Sequence, residues 1–217
     1  MSYFGNEYER RTLMNIEALY FQKYFYFKHL NQSSSEHRVT YWVKLSRDIE
    51  LHRLMYALLD VVQNQPVLRT QFVTDDFNQL KINLRDFFPF IEIQEVNEMS
   101  QSIDLEAFFT RNLNSYHFNQ LPLFNFKIYQ FLDDAYLLLD FHATIFNESQ
   151  LTPFLQQLNI AYTHSLKSEY SISDFYNWIK EMNQKMDQNQ AVYPSKHFNV
   201  LSADGDNYAY IPVKNTS

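Results

Sequence analysis

A chain of 217 residues with 46% hydrophobic side chains, 20 Phe and 16 Tyr is long and apolar enough to bury a real core, which excludes a disordered protein. Its formal charge of -7 argues against a nucleic-acid surface, its two glycines (Gly5 and Gly205) leave no glycine-rich phosphate cradle, and the absence of Cys excludes disulfides and thiolate metal sites. No apolar run approaches the length of a membrane span, and the opening MSYFGNEYERR lacks the basic-then-apolar order of a signal peptide, so a cytoplasmic protein without a membrane partner is expected.

Along the chain, Thr12–Lys28 carries Leu13, Ile16, Leu19, Tyr20, Tyr24 and Phe27 at helical spacing, and the pattern predicts one helix capped by Thr12. After a polar loop at NQSSSE, Arg38–Leu45 alternates Val39, Tyr41 and Val43 against Thr40, Trp42 and Lys44, as a strand does. Ser46–Val62 is the clearest amphipathic helix, with Asp48 placed to cap its first turn and Pro66 to stop it. Val67–Val73 and Gln79–Leu84 read as a hairpin across an Asp75–Asn78 turn. Phe87–Val96 reads as a further strand, and Ile103–Leu113 as a helix.

The centre of the chain is Leu121–Leu151. In Leu123–Leu132, Phe124, Phe126 and Ile128 alternate with Asn125, Lys127 and Tyr129, Asp133–Asp134 makes a turn, and Ala135–His142 runs back as a more apolar antiparallel strand. A helix follows, with Leu151, Phe154, Leu155, Leu158, Tyr162 and Leu166 on one side. One imidazole, His142, therefore stands where strand gives way to helix, and alternation places Asp140 on its face, where it can orient the ring. No His pair brackets a carboxylate at helical zinc spacing and no GxSxG occurs, so neither a zinc helix nor a hydrolase nucleophile elbow is present. Trp42 and Trp178 read as packing residues rather than ligand platforms.

This frame resembles the condensation domains of non-ribosomal peptide synthetases, in the chloramphenicol acetyltransferase-like superfamily. Their motif is two adjacent histidines, three variable residues, then aspartate and glycine, between such a strand and helix. Here Phe141 stands at the first histidine, His142 at the second, Phe146 at the aspartate and Asn147 at the glycine. Leu68, Arg69, Thr70 and Phe72 match a second family segment, with Asn64 and Gln65 replacing its Arg-His pair. Ser173–Trp178 resembles the family's Asp-Tyr-x-x-Trp stretch, and Tyr193–Leu201 the point where members cross to a second lobe. The resemblance runs from about Thr12 to Leu201 and covers about half of a two-lobed family domain.

The resemblance implies a single α/β lobe, with a mixed, mostly antiparallel sheet and helices packed mainly on one face, over 1–201, followed by a polar tail or linker over 202–217 that leads toward an adenylation domain. It implies that His142 inherits the place of a base or positioning group. In a frame without the second lobe, however, His142 reads as a vestige, and replacement of the motif aspartate by Phe146 is what loss of that carboxylate's partner permits. Phe141 and Asn147 are expected to alter the mouth of the site, with Asn147 taking a left-handed turn. Arg69 has two readings, a brace for the His142 loop through Asp140 or a carbonyl, and a strand-end surface arginine. The expected function is a non-catalytic structural or docking element of a synthetase, packed on an adenylation or carrier domain through an unusually apolar surface. The fragment itself needs no cofactor, while phosphopantetheine and ATP with Mg belong to the parent synthetase. Two alternatives stand beside it: a His142-dependent acyltransferase active as a self-associated dimer, and a free-standing adaptor for carrier proteins.

Overall fold

Burial of Leu54, Ala57, Leu58, Val61 and Val62 at i, i+3, i+4, i+7 and i+8 makes Leu51–Asn64 the helix around which one side of the core is built. The structure is a computed structural model and describes residues 12–31, 37–76, 79–118, 120–164 and 172–187. In chain order its elements are β1 (Thr12–Glu17), α1 (Tyr20–Asn31), β2 (Arg38–Lys44), α2 (Leu51–Asn64), β3 (Thr70–Thr74), β4 (Leu80–Arg85), β5 (Glu92–Glu95), α3 (Leu105–Arg111), β6 (Phe124–Gln130), β7 (Ala135–His142), α4 (Leu151–Thr163) and α5 (Ile172–Asp187).

The strands form two sheets. One has the order β1-β4-β3 and is antiparallel throughout; the other has the order β2-β7-β6-β5, antiparallel except where β5 lies parallel to β6. The expected β6–β7 and β3–β4 hairpins are both formed. β7 is the most apolar strand, and its two faces go to different places. Leu137, Leu139 and Phe141 join α2 and α4 in a core that also reaches Phe72 and Ile82 of the other sheet. Tyr136 and Leu138 turn the opposite way, into a smaller aromatic cluster with Tyr129, Phe131 and Phe109 of α3. Each of these fully buried side chains contributes about 1.5–3 kcal/mol of hydrophobic stabilisation.

Several expected boundaries move. Thr12–Lys28 is not one helix: its first part pairs with β4 from Thr12↔Arg85 to Glu17↔Lys81, and α1 starts only at Tyr20. The apolar spacing suited either structure, and a waiting strand edge decided it. Asp48 caps nothing. α2 begins after Glu50, whose N–H donates to the Tyr162 hydroxyl at 3.0 Å, so α4 supplies the partner that a cap would have given. Pro66–Arg69 is a turn of 3-10 helix, and the strand starts at Thr70. Of Phe87–Val96 only β5 pairs, because Pro89 lacks an N–H and Phe88 and Phe90 stand 79% and 88% exposed. Ser173–Trp178 falls in α5, where Trp178 packs against the main core, while Leu166 and everything from residue 188 onward lie outside the described residues.

Candidate functional site

β2 and β7 pair with Arg38 opposite His142 and Thr40 opposite Asp140, so these four side chains share one face of the sheet. Asp140 is fully buried. Arg38 grips it with both arms of its guanidinium: Nε donates to Oδ1 at 3.1 Å and an Nη to Oδ2. Thr40 donates its hydroxyl to Oδ1 at 2.8 Å, and the Tyr116 phenol donates to Oδ2. Arg38 also lies 4.7 Å over the Tyr116 ring. Burial pulls the Arg38 pKa down, but the hydrogen bonds and charge of Asp140 outweigh it and lift the guanidinium above its ordinary value. Burial, reinforced by the Asp140 charge, pushes the Tyr116 phenol well up, so it remains a donor.

His142 is equally buried, and no hydrogen bond joins it to Asp140. Its Nδ1 accepts the Thr144 N–H at 3.1 Å and lies 2.7 Å from the Thr144 hydroxyl. A backbone amide can only donate, so the Nδ1 lone pair is the acceptor and the ring proton sits on Nε2. That Nε2–H donates to Nδ1 of His29, 3.3 Å away on α1. Phe118 packs on both imidazoles, each at 4.7 Å between ring centroids. Burial first, then the charges of His29, His37 and Arg38, push the His142 pKa down to about 3. The ring is a neutral, doubly hydrogen-bonded strut. The expected Asp140–His142 pair is replaced by two separate networks, because Arg38, Thr40 and Tyr116 together occupy both carboxylate oxygens.

The remaining predicted residues fall elsewhere. Phe141 points away from His142 into the core, where it stacks on Phe146 with centroids 3.7 Å apart and planes 5° off parallel. Phe154 of α4 meets both edge-on, at 5.4 and 6.0 Å. Neither Phe lines a mouth. Asn147 is extended (φ -130°, ψ 166°), not left-handed, and forms a capping box with Gln150, whose side chain accepts the Asn147 N–H at 2.8 Å. Arg69 is a buried side chain rather than a surface one, and its Nε has no partner among the described residues. It makes no hydrogen bond to Asp140 or His142, and Arg38 holds the bracing position instead. The sequence reading missed Arg38, Tyr116, Thr144 and His29. Only Arg38 had a usable signal, its place two residues before Thr40 on a strand that had to pair with β7.

A groove of about 340 Å³ opens at the bare start of β6, between Phe90 and Glu92 on one side and Tyr116, His117 and Pro122 on the other. Asn125 and Lys127 form part of its wall, whereas Asp140 and His142 do not.

The family model for the condensation domain matches residues 16–200. The chain belongs to the condensation-domain family. Solved condensation domains share its fold: the starter condensation domain of rhizomide synthetase RzmA (12% identity, TM-score 0.66) aligns over 80% of this chain and 44% of its own. The first condensation domain of the calcium-dependent antibiotic synthetase, solved with a substrate analogue, aligns at 10% identity and TM-score 0.68 over 82% and 45%. The condensation domain of the monacolin K polyketide synthase MokA aligns at 12% and 0.67 over 82% and 40%. The chain thus spans less than half the length of the condensation domains it matches. No match to a curated protein was found by sequence. Among the described residues no group of side chains is arranged to hold a metal ion, and no helix is long and apolar enough to cross a membrane.

Proposed function

We propose that this condensation-domain lobe is non-catalytic and serves a peptide synthetase as a structural or docking element. The observation that carries the reading is the state of His142. A condensation base must offer a ring lone pair to an incoming amine, and the one lone pair of this neutral ring is committed to the Thr144 amide, out of reach of solvent. With a pKa pushed down to about 3, the ring also has little proton affinity to lend near neutrality. The dimeric acyltransferase reading requires that same lone pair.

The docking half of the proposal draws on α1. Tyr20, Tyr24 and Leu30 are 69%, 54% and 61% exposed, and Phe21 and Phe27 add to an apolar strip along the helix. Such a strip supports reading this helix as a surface covered in the assembled state. An adenylation or carrier domain of the same synthetase is the partner this reading assigns, with the carrier's phosphopantetheine and the adenylation domain's ATP and Mg belonging to those neighbours.

The test is a pair of variants in the synthetase that contains the lobe. His142→Asn keeps an acceptor for Thr144 while removing the imidazole and its Nε2–H, and product formation should be unchanged. Tyr20→Glu with Tyr24→Glu should weaken co-purification of the neighbouring domain at least tenfold, with the far-ultraviolet circular dichroism of the lobe intact. Loss of peptide product from His142→Asn with an unaltered melting temperature would overturn the non-catalytic reading.

A further inference from the structure

α1 is held to the rest of the protein at its C-terminal end by a contact of an unusual kind. His142 Nε2–H donates to His29 Nδ1; the Thr144 amide beyond His142 fixes its proton on Nε2, and that in turn makes His29 Nδ1 the acceptor. The catch works only while His29 is neutral. A proton added to His29 enters at Nδ1 and meets the His142 N–H, donor against donor. His142 cannot adapt by moving its own proton, because Nδ1 faces the Thr144 amide; the Thr144 hydroxyl can turn to accept, but the amide cannot. No tautomer of the pair tolerates an imidazolium at position 29.

Among the described residues, no carboxylate pairs with His29 to compensate such a charge. From the segment entering β2 come His37, whose Nε2 is buried without a partner among the described residues, and Arg38. From the segment before β6 come Tyr116 and His117, and from α1 itself Lys28, which lies over Tyr24. The carboxylate on this face, Asp140, is already engaged by Arg38, Thr40 and Tyr116. Other ties of this half of α1 include ring contacts, Tyr26 and His29 on Phe118 and Phe25 on His37, and a hydrogen bond between the Tyr26 and Thr74 hydroxyls.

We infer that α1 is a pH-released strap, closed over the end of β7 while His29 is neutral and let go when His29 takes a proton. Release bares Phe118 and the His142 edge, and frees the aromatic strip of α1 to move as a unit. The inference does not depend on whether the lobe docks a neighbour.

The sign follows from the direction of the shifts. Burial, then the charges of His37 and His117, lower the His29 pKa below its ordinary 6.5, and His142 is lowered further, to about 3. The strapped state therefore binds fewer protons than the open one. Its stability is complete above 6.5 and declines as pH falls below that value, with the partly buried His29 titrating before the fully buried His142.

Hydrogen exchange on the full chain tests this at about pH 7.5 and about pH 5. After correction for intrinsic rates, protection of the Tyr20–Leu30 amides should fall at least about tenfold at the lower pH while β6 and β7 keep theirs. His29→Gln, which cannot titrate, should show α1 protection that does not change between the two pH values. Nitrogen-15 spectra of the unaltered protein give a measurement free of any variant: the His29 ring and the α1 amides should titrate with one midpoint. The inference is overturned if α1 protection does not change with pH, if it falls together with β6 and β7, or if His29→Gln shows the same drop.

Discussion

The two faces of β7 hold the same family motif and have met its alteration in opposite ways. On the core face, two polar motif positions have become Phe141 and Phe146, which stack on each other with Phe154 against both edges. On the other face, Asp140 and His142 stay polar and are fully buried, each satisfied by its own set of partners. On the core face the two rings fit each other and leave no buried charge in need of a partner. The polar face shows that a buried titratable pair is kept only where every direction is filled. Phe141 and Phe146 thus form one packed unit, while His142 lies within a hydrogen-bonded frame.

The hardest blow to that comparison is to put the family's aspartate back. Phe146→Asp sets a carboxyl between Phe141 and Phe154, with no donor in place of the ring. We expect a loss of about 5 kcal/mol at neutral pH, larger than for Phe146→Ala, where about 3–5 kcal/mol follows from the lost ring and its cavity. Urea unfolding of both variants checks it. If Phe146→Asp were as stable as the unaltered protein, the core face would have a hidden partner for the charge, and the two faces would not differ in kind.

The polar face is broken by removing its acceptor. Asp140→Ala leaves the Arg38 guanidinium, only 11% exposed, and the Tyr116 phenol without their carboxylate. A loss of about 3–5 kcal/mol is expected, because the stranded cation costs more than the intact pair contributed. Asp140→Ala combined with Arg38→Met should recover part of that loss. A double variant no better than the single one would mean that Asp140 acts through Tyr116 and Thr40 rather than through the ion pair.

How much of this was legible beforehand depended on whether the signal was local. The β6–β7 hairpin, the central helix, β2 and the α/β character follow from alternation and helical spacing, and those patterns survive in any packing. The Leu13–Phe27 stripe did not decide between helix and strand, since β4 lies about seventy positions away and only pairing with it settles the matter. The site was harder. Asp140 and His142 were found because they sit two apart on one strand, but their partners come from positions 29, 38 and 116, and register, not spacing, brings them in. Alternation placed the two residues on one face correctly and then misled, because sharing a face is not sharing a bond.

Where the two faces meet, at the end of β7, Asn147 gives the finest test. The family's glycine at this point suggested a backbone only glycine or asparagine tolerates, yet Asn147 is extended and works as a cap, its side-chain oxygen taking the Gln150 N–H and the Ser149 hydroxyl at 2.6 Å. The role is thus chemical rather than conformational, and the two readings predict different orders of stability. A left-handed turn would make Asn147→Gly stabilising and Asn147→Ala costly through backbone strain. A cap makes Asn147→Ala cost about 1 kcal/mol through the lost acceptor, while Asn147→Gly costs only a few tenths, since glycine leaves the orphan N–H open to water. Thermal unfolding resolves the difference, and Asn147→Asp should match or exceed the unaltered protein, because a carboxylate caps equally well and complements the positive end of α4. Were Asn147→Gly the most stable of the three, the glycine of the motif would be conformational after all, and the strand end would owe its shape to the backbone rather than to its side chains.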